Sequence, residues 1–186
     1  MRKTLIIGLG GAGMSIASHV KEHLGCDILA SNTNTEALAG SPFRQQLQIG
    51  ASTCQGQPAK STQRGRLAAE ESLQELERSI KGAERIILLA GLGGGTATGA
   101  SEPLIDLATS LGIPVIMVAT LPFEFETAQR AAAMAVLPRL QNKNIQLILK
   151  DHSQRLKEGG QSLALTSYYQ KASTEIAHEI EQILKD

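Results

Sequence analysis

The sequence predicts a three-layer α/β domain, a mostly parallel sheet of about five or six strands with helices on both faces. Three observations carry that expectation. The apolar run Thr4–Ile7 passes directly into Gly8-Leu9-Gly10-Gly11-Ala12-Gly13 and then into a helical pattern. The same order recurs where Ile86-Ile87-Leu88-Leu89 meets Ala90-Gly91-Leu92-Gly93-Gly94-Gly95-Thr96-Ala97-Thr98-Gly99 and a helix-like segment from Ala100 to Leu111. Finally, Val115-Ile116-Met117-Val118-Ala119 is apolar without alternation, the mark of a strand covered on both faces.

Composition bounds the rest. The chain has 186 residues, enough for one domain with a real core and too few for two large ones, so 1–186 is read as a single domain. Eighteen basic and eighteen acidic residues cancel, so no global field recruits nucleic acid or anionic lipid. Three Phe, two Tyr and no Trp supply little for a base-stacking surface, and nucleic acid is not expected as a partner. No apolar run is long enough to span a bilayer, so no membrane insertion is expected. Cys26 and Cys54 match no metal-ligand spacing; the reading is a buried thiol and a loop thiol in a reducing cytoplasm.

Taken in order, Thr4–Ile7 is the first strand, and a helix runs from about Ala12 to Leu24 with Ile16, Val20 and Leu24 on one face. The glycines between them satisfy G-x-G-x-x-G, the Rossmann-like dinucleotide fingerprint. That pattern expects an acid at the end of the second strand to hold a ribose. Here Ile28–Ala30 ends in Ser31-Asn32-Thr33-Asn34. An NAD(P)-dependent enzyme therefore stays a secondary reading. Residues 40–62 read as one long irregular stretch. Gly65 to about Ile80 reads as one helix ended by Gly82. Ile86–Ala90 and Val115–Thr120 are the third and fourth strands, and Ile145–Leu149 is the fifth. A final helix over 162–184 places Tyr169, Ala172, Ile176, Ile180 and Ile183 on one face. His152 reads as a solvated loop residue.

The chemistry concentrates in Gly91–Gly99, where five glycines in nine residues lie between a strand and a helix. Backbone this bare exposes its N–H groups, and the helix N-terminus adds a positive dipole end. With the Thr96 and Thr98 hydroxyls, the loop suits a nucleotide phosphate. Gly94 and Gly95 are read alike, as positions where a side chain would occupy phosphate space. No Gly-Lys-Ser/Thr closes the loop, so it is not a Walker A motif. No Ser-His-Asp set, paired acids or His/Cys cluster offers a catalytic or metal centre.

Gly93-Gly94-Gly95-Thr96-Ala97-Thr98-Gly99 resembles the GGGTGTG signature of the FtsZ/tubulin family of GTP-binding proteins, with Ala97 at the middle glycine. Three further segments share the resemblance. Asn32-Thr33-Asn34-Thr35-Glu36-Ala37-Leu38 is similar to NTDxxAL, Gly65–Ser72 to GRxAAEES, and Thr120–Arg130 to T-x-P-F-x-F-E-x-x-x-R. The resemblance implies that GTP or GDP, with Mg as a further candidate, lies across the carboxyl ends of the strands. It implies nucleotide contacts from Gly10, Gly11, Ala12 and Asn32, and from Gly91, Gly93, Gly94, Gly95, Thr96, Ala97, Thr98 and Gly99. It adds Pro122, Glu126 on the ribose, Arg130 beside the nucleotide, and Tyr169 and Ser173 at the base. The family's Pro-Asn-Asp is replaced by Lys150-Asp151-His152. The resemblance covers the family's nucleotide-binding half. Its catalytic acidic loop and second domain would follow Asp186, implying slow or no GTP turnover by this chain alone. The implied role is cytoskeletal or in cell division, in the cytoplasm, with itself or an FtsZ as partner. A protein that caps or modulates FtsZ filaments is a second reading.

Overall fold

The computed structural model describes residues 3–24, 27–159 and 165–185. Cys26, the first residues of the predicted final helix (162–164) and Asp186 lie outside them. Fifteen elements follow in order: β1 (Thr4–Leu9), α1 (Gly10–Leu24), β2 (Ile28–Asn32), α2 (Thr35–Ala39), β3 (Gln45–Gln48), α3 (Ala51–Cys54), α4 (Thr62–Glu71), α5 (Leu73–Ile80), β4 (Arg85–Gly91), α6 (Gly95–Ser110), β5 (Val115–Leu121), α7 (Thr127–Gln141), β6 (Gln146–Asp151), α8 (His152–Gly159) and α9 (Leu165–Lys185).

The six strands form one sheet in the order β3-β2-β1-β4-β5-β6, and every neighbouring pair is parallel. Parallel neighbours need crossovers, which are right-handed almost without exception. The path from β1 runs one way along the sheet and the path from β4 runs the other, so α1 and α6 cover opposite faces. Side chains divide accordingly. Ile6, Ile28, Ala30, Ile87, Leu89 and Val118 pack with Ile16, Val20, Ile176 and Ile180 of α1 and α9. Ile7, Leu9, Leu29, Leu88, Ala90, Met117 and Ala119 pack with Ala69, Leu76, Leu104, Ile105 and Val136 of α4 to α7. Burying the central strands on both faces is what their unbroken apolar sequence requires.

Several boundaries differ from expectation. The stretch 40–62, read as irregular, contains the edge strand β3 and the short helix α3. Gln45-Gln46-Leu47-Gln48 has no apolar alternation because its first two residues are exposed at the sheet edge, so no period shows in sequence. Cys54 is not in a loop; it ends α3, buried and free. The single helix expected over 65–80 is two, α4 and α5, parted at Ser72 (φ −105°, ψ 19°). There the Ser72 hydroxyl accepts the Gly50 N–H at 2.8 Å. Nearby, the Glu71 carboxylate accepts the Ser52 and Thr53 N–H groups and the Thr53 hydroxyl. Those bonds, led by the Thr53 hydroxyl, hold its pKa down to about 2 and anchor the N-terminus of α3.

The buried face of α9 runs through Tyr168, Ala172, Ser173, Ile176, Ala177 and Ile180. Tyr169, expected on that face, is 41% exposed. Its neighbour Tyr168, to which the sequence reading gave no role, is the buried one of the pair. No helix among the described residues is long and apolar enough to cross a membrane.

Candidate functional site

β1 and β4 are neighbours whose following helices leave on opposite faces. That is the switch point of the sheet, where open parallel sheets bind ligands beyond their carboxyl ends. A cleft of about 470 Å³ lies there. Its walls include Gly10, Gly11 and Ala12 after β1, Asn32 and Asn34 at the end of β2 and just beyond, Gly91 to Ala97 from the end of β4 into α6, and Thr120 and Pro122 about the end of β5.

Both strand–helix junctions are tighter than loops. α1 begins at Gly10 and α6 at Gly95, so half of the expected glycine loop is the first turn of a helix. Gly10 (φ +69°) and Gly93 (φ +111°) make the two reversals, in a region that side chains disfavour. The turn after β4 is stitched by Leu92 N–H to Thr120 C=O at 2.9 Å and Gly93 N–H to the Thr98 hydroxyl at 2.7 Å. Thr96 meets the Thr33 hydroxyl at 2.9 Å, and Thr33 also accepts the Ala59 N–H at 3.0 Å. The segment holding Pro58 and Ala59 is thus tied to the cleft it lines.

Two helix N-termini converge on this space. The first N–H groups of any helix lack intrahelical partners. No side chain caps α6 at Gly94, and neither α1 nor α6 has an acid in its first turn. The arrangement offers bare N–H donors and two positive dipole ends to an anion.

On the far side, Asn32 is buried, its amide on the Met14 sulfur at 3.4 Å and its oxygen on the Asn34 N–H at 3.2 Å. Asn34 caps α2, accepting the Glu36 and Ala37 N–H groups. Asn34 thus caps α2 and lines the cleft at once. Glu126 also faces the cleft, with one oxygen accepting the Phe123 N–H at 2.9 Å.

Four sequence-named residues do not line the cleft: Thr98, Gly99, Arg130 and Ser173. Thr98 braces the turn, and Gly99 lets α6 approach α4, where a Cβ would fall 2.1 Å from the Thr62 carbonyl oxygen. Ser173 is buried in the face of α9. Arg130 neither faces the cleft nor pairs with Glu126. It grips Asp151 with two nitrogens, at 2.9 and 2.6 Å, and donates to the Pro122 carbonyl at 2.5 Å. The Asp151 hydrogen bonds raise the Arg130 pKa, and the same bonds lower that of Asp151.

His152 is a correction. Read as a solvated loop histidine, it is 8% exposed and lines the cleft. Its ring stacks on Phe123 at 5.3 Å and meets Tyr169 edge-on at 5.2 Å. Phe125 stacks on Phe123 at 4.9 Å, and Tyr168 tilts against it at 5.2 Å. Every aromatic of the chain except Phe43 is in this cluster. Burial lowers the His152 pKa, and burial pushes that of Tyr168 up to about 12. Tyr169 presents its ring to the cleft from α9. Asn34, Ala37, Pro58, Ala59, Leu92, Thr120, Gln129 and His152 were not singled out as site residues by sequence. Asn34, Ala37, Leu92, Thr120 and Gln129 lie inside the quoted motifs without being picked from them, whereas Pro58, Ala59 and His152 reach the cleft from segments that no motif marks.

Comparison with known proteins adds to this geometry. Residues 3–158 match the model of the Tubulin/FtsZ family, GTPase domain. The chain is 30% identical over 173 residues to the cell division protein FtsZ of Neisseria meningitidis, covering 90% of this chain and 43% of that one. It is 38% identical over 131 residues to FtsZ 2 of Rhizobium meliloti, covering 69% of this chain and 38% of that one. An empty FtsZ dimer of M. jannaschii superposes with a TM-score of 0.90 at 25% identity, over 100% of this chain and 55% of that one. CetZ2 of Haloferax volcanii, solved as a GTPγS-bound protofilament, gives 0.84 at 26% identity, over 98% of this chain and 58% of that one. The chain spans less than half the length of these FtsZ sequences. With residues 3–158, most of this chain, matching the family's domain and the family's sheet beneath the cleft, the chain belongs to the Tubulin/FtsZ family.

Proposed function

We propose that the cleft binds a guanine nucleotide, GTP or GDP, and that the protein serves a cytoskeletal or cell-division role in the cytoplasm, assembling with itself or with an FtsZ. The observation that carries the reading is the convergence of two helix N-termini, free of first-turn acids, on one cleft at the switch point. Each N-terminus is equivalent to roughly half a positive charge. In this reading Gly10, Gly11 and Ala12 of α1 and Gly93 to Ala97, in the turn into α6 and its first residues, hold the phosphates. Glu126 takes the ribose, and Tyr169 offers its ring to the base.

Magnesium usually keeps several waters and uses one or two carboxylates together with substrate phosphates. Glu126 is the one carboxylate among the described lining residues, so a magnesium ion would ride on the phosphates. With one Glu126 oxygen on the Phe123 N–H, the cleft binds phosphates without organising an attacking water. Positioning that nucleophile is what phosphoryl transfer needs, and the proposal gives that task to an acid from a neighbouring molecule. Relatives solved as a dimer and as a protofilament support the assembly part.

Thermal unfolding with GDP, GTP, ATP and NAD tests the proposal. Ligand that binds only the folded state stabilises it with the logarithm of concentration. GDP and GTP should raise the melting temperature in that manner, ATP less, and NAD not at all. Phosphate release from GTP by the protein alone should be slow. Stabilisation by NAD alone would replace the reading with a dinucleotide enzyme, and no response to any of the four would remove the nucleotide.

A further inference from the structure

Resting on the guanine-nucleotide reading, the geometry points to His152 as the residue that contacts the base, its Nε2 accepting a hydrogen bond from a ring-edge N–H of guanine. The argument begins with Tyr168. Its hydroxyl lies 3.1 Å from the His152 carbonyl oxygen and 3.1 Å from His152 Nδ1. A carbonyl oxygen can only accept, so the single phenolic proton goes there. The phenolic oxygen is then the acceptor for Nδ1, which must carry the ring proton. A neutral imidazole with Nδ1–H has a bare lone pair at Nε2. No hydrogen bond occupies Nε2 among the described residues.

The surroundings keep that acceptor in place. Phe123 covers one face of the imidazole, and Tyr168 and Tyr169 meet it edge-on. The charged and titratable groups around it are Glu126 ahead of α7, Asp151 at the end of β6, Arg155 on α8, and Tyr168 and Tyr169 on α9. Burial, the largest influence, favours the neutral ring and Arg155 adds to it, together outweighing Glu126 and Asp151, which favour protonation. His152 lines the same cleft as Tyr169, so a base lying against the Tyr169 ring comes beside the imidazole.

Two other side chains that could read a base are engaged elsewhere. Asp151 is held by Arg130, and Ser173 is buried in α9. The acceptor favours guanine over adenine on chemical grounds. Guanine presents N1–H and a 2-amino group on its pairing edge, whereas an acceptor placed for N1–H meets the lone pair of N1 in adenine, whose one donor, the 6-amino group, stands where guanine has O6. A buried hydrogen-bonding group left unpaired is the strongest basis for rejecting a wrong ligand.

The test compares GDP and ADP affinities in the wild type and in His152→Phe, which keeps a ring on Phe123 and removes Nε2. The wild type should prefer GDP, and the folded variant should lose about tenfold in GDP affinity and most of the preference. An unchanged GDP-to-ADP ratio in the folded variant overturns the assignment while leaving the nucleotide reading intact. Failure of the wild type to bind either nucleotide removes both. Should His152→Phe not fold, nitrogen NMR of the wild-type histidine gives the answer. Nε2 should resonate as an unprotonated, pyridine-type nitrogen and shift toward the protonated position when GDP, not ADP, is added. A protonated Nε2 in the free protein, or no movement with GDP, contradicts the assignment.

Discussion

A Gly94→Val protein should fold with nearly wild-type stability and bind GDP at least about a hundredfold more weakly, a loss of roughly 3 kcal/mol. Gly94 sits at φ −79°, ψ 147°, extended backbone that a β-branched residue adopts readily. A Cβ there meets no atom within 4 Å, and the residue lines the cleft. The two methyl groups would stand where the proposed phosphates approach α6. Gly95→Val should behave differently. Its Cβ would lie 1.8 Å from the Ala59 carbonyl oxygen and 2.7 Å from the Ser61 nitrogen, so backbone rather than side chain must move. That protein should fail to fold or lose several kcal/mol of stability, within the range of overpacked cores and beyond. Circular dichroism melts with GDP titration separate the two. Wild-type GDP affinity in folded Gly94→Val would place the phosphates elsewhere.

Arg130→Ala is expected to act on stability before it acts on nucleotide. The guanidinium makes a forked pair with Asp151 and a bond to the Pro122 carbonyl, with both paired side chains 22% exposed. Losing charged hydrogen bonds at such a site costs roughly 1.5–3 kcal/mol. The arginine fastens the turn after β5 to the end of β6, so Pro122 and Glu126 should lose their fixed place secondarily. Asp151→Asn in the same protein should recover part of the loss, because no carboxylate is then left half-buried without its partner. The pH dependence has a definite sign. The folded-state pKa of Asp151 is depressed by Arg130, so the pair's stabilisation is present above the ordinary aspartate range and vanishes as pH falls through the depressed value. Urea unfolding at neutral and acid pH reads both effects. A melting profile indifferent to Arg130→Ala would show that the pair contributes nothing.

The two glycines show what sequence carries and what it leaves out. A strand, a run of glycines and a helix announce an anion cradle, because few other needs require so much bare backbone. Which glycine faces the cleft and which faces the segment ahead of α4 depends on Ala59 and Ser61, remote in sequence, which only the fold brings to α6. The same limit explains the tyrosines. Spacing assigns Tyr169 to the inner side of α9, and a rotation of one residue buries Tyr168 instead. His152 was hidden for another reason. Its burial comes with Phe123 and Tyr168, both distant along the chain, and no local pattern distinguishes it from a loop histidine. The central strands were plain in sequence because burial on both faces leaves an unbroken apolar run. β3 was not, since an edge strand with exposed glutamines carries no such mark.

Amide NMR of the nitrogen-15-labelled protein during GDP titration tests the central claim most directly. The amides of Gly11 and Ala12 at the start of α1, and of Gly94, Gly95 and Thr96 at the start of α6, should shift first and farthest, saturating together at one GDP per chain. Saturable shifts centred on the opposite end of the sheet, around Gly112–Val115 and Asn144–Gln146, or no saturable shift at either helix start, would contradict it.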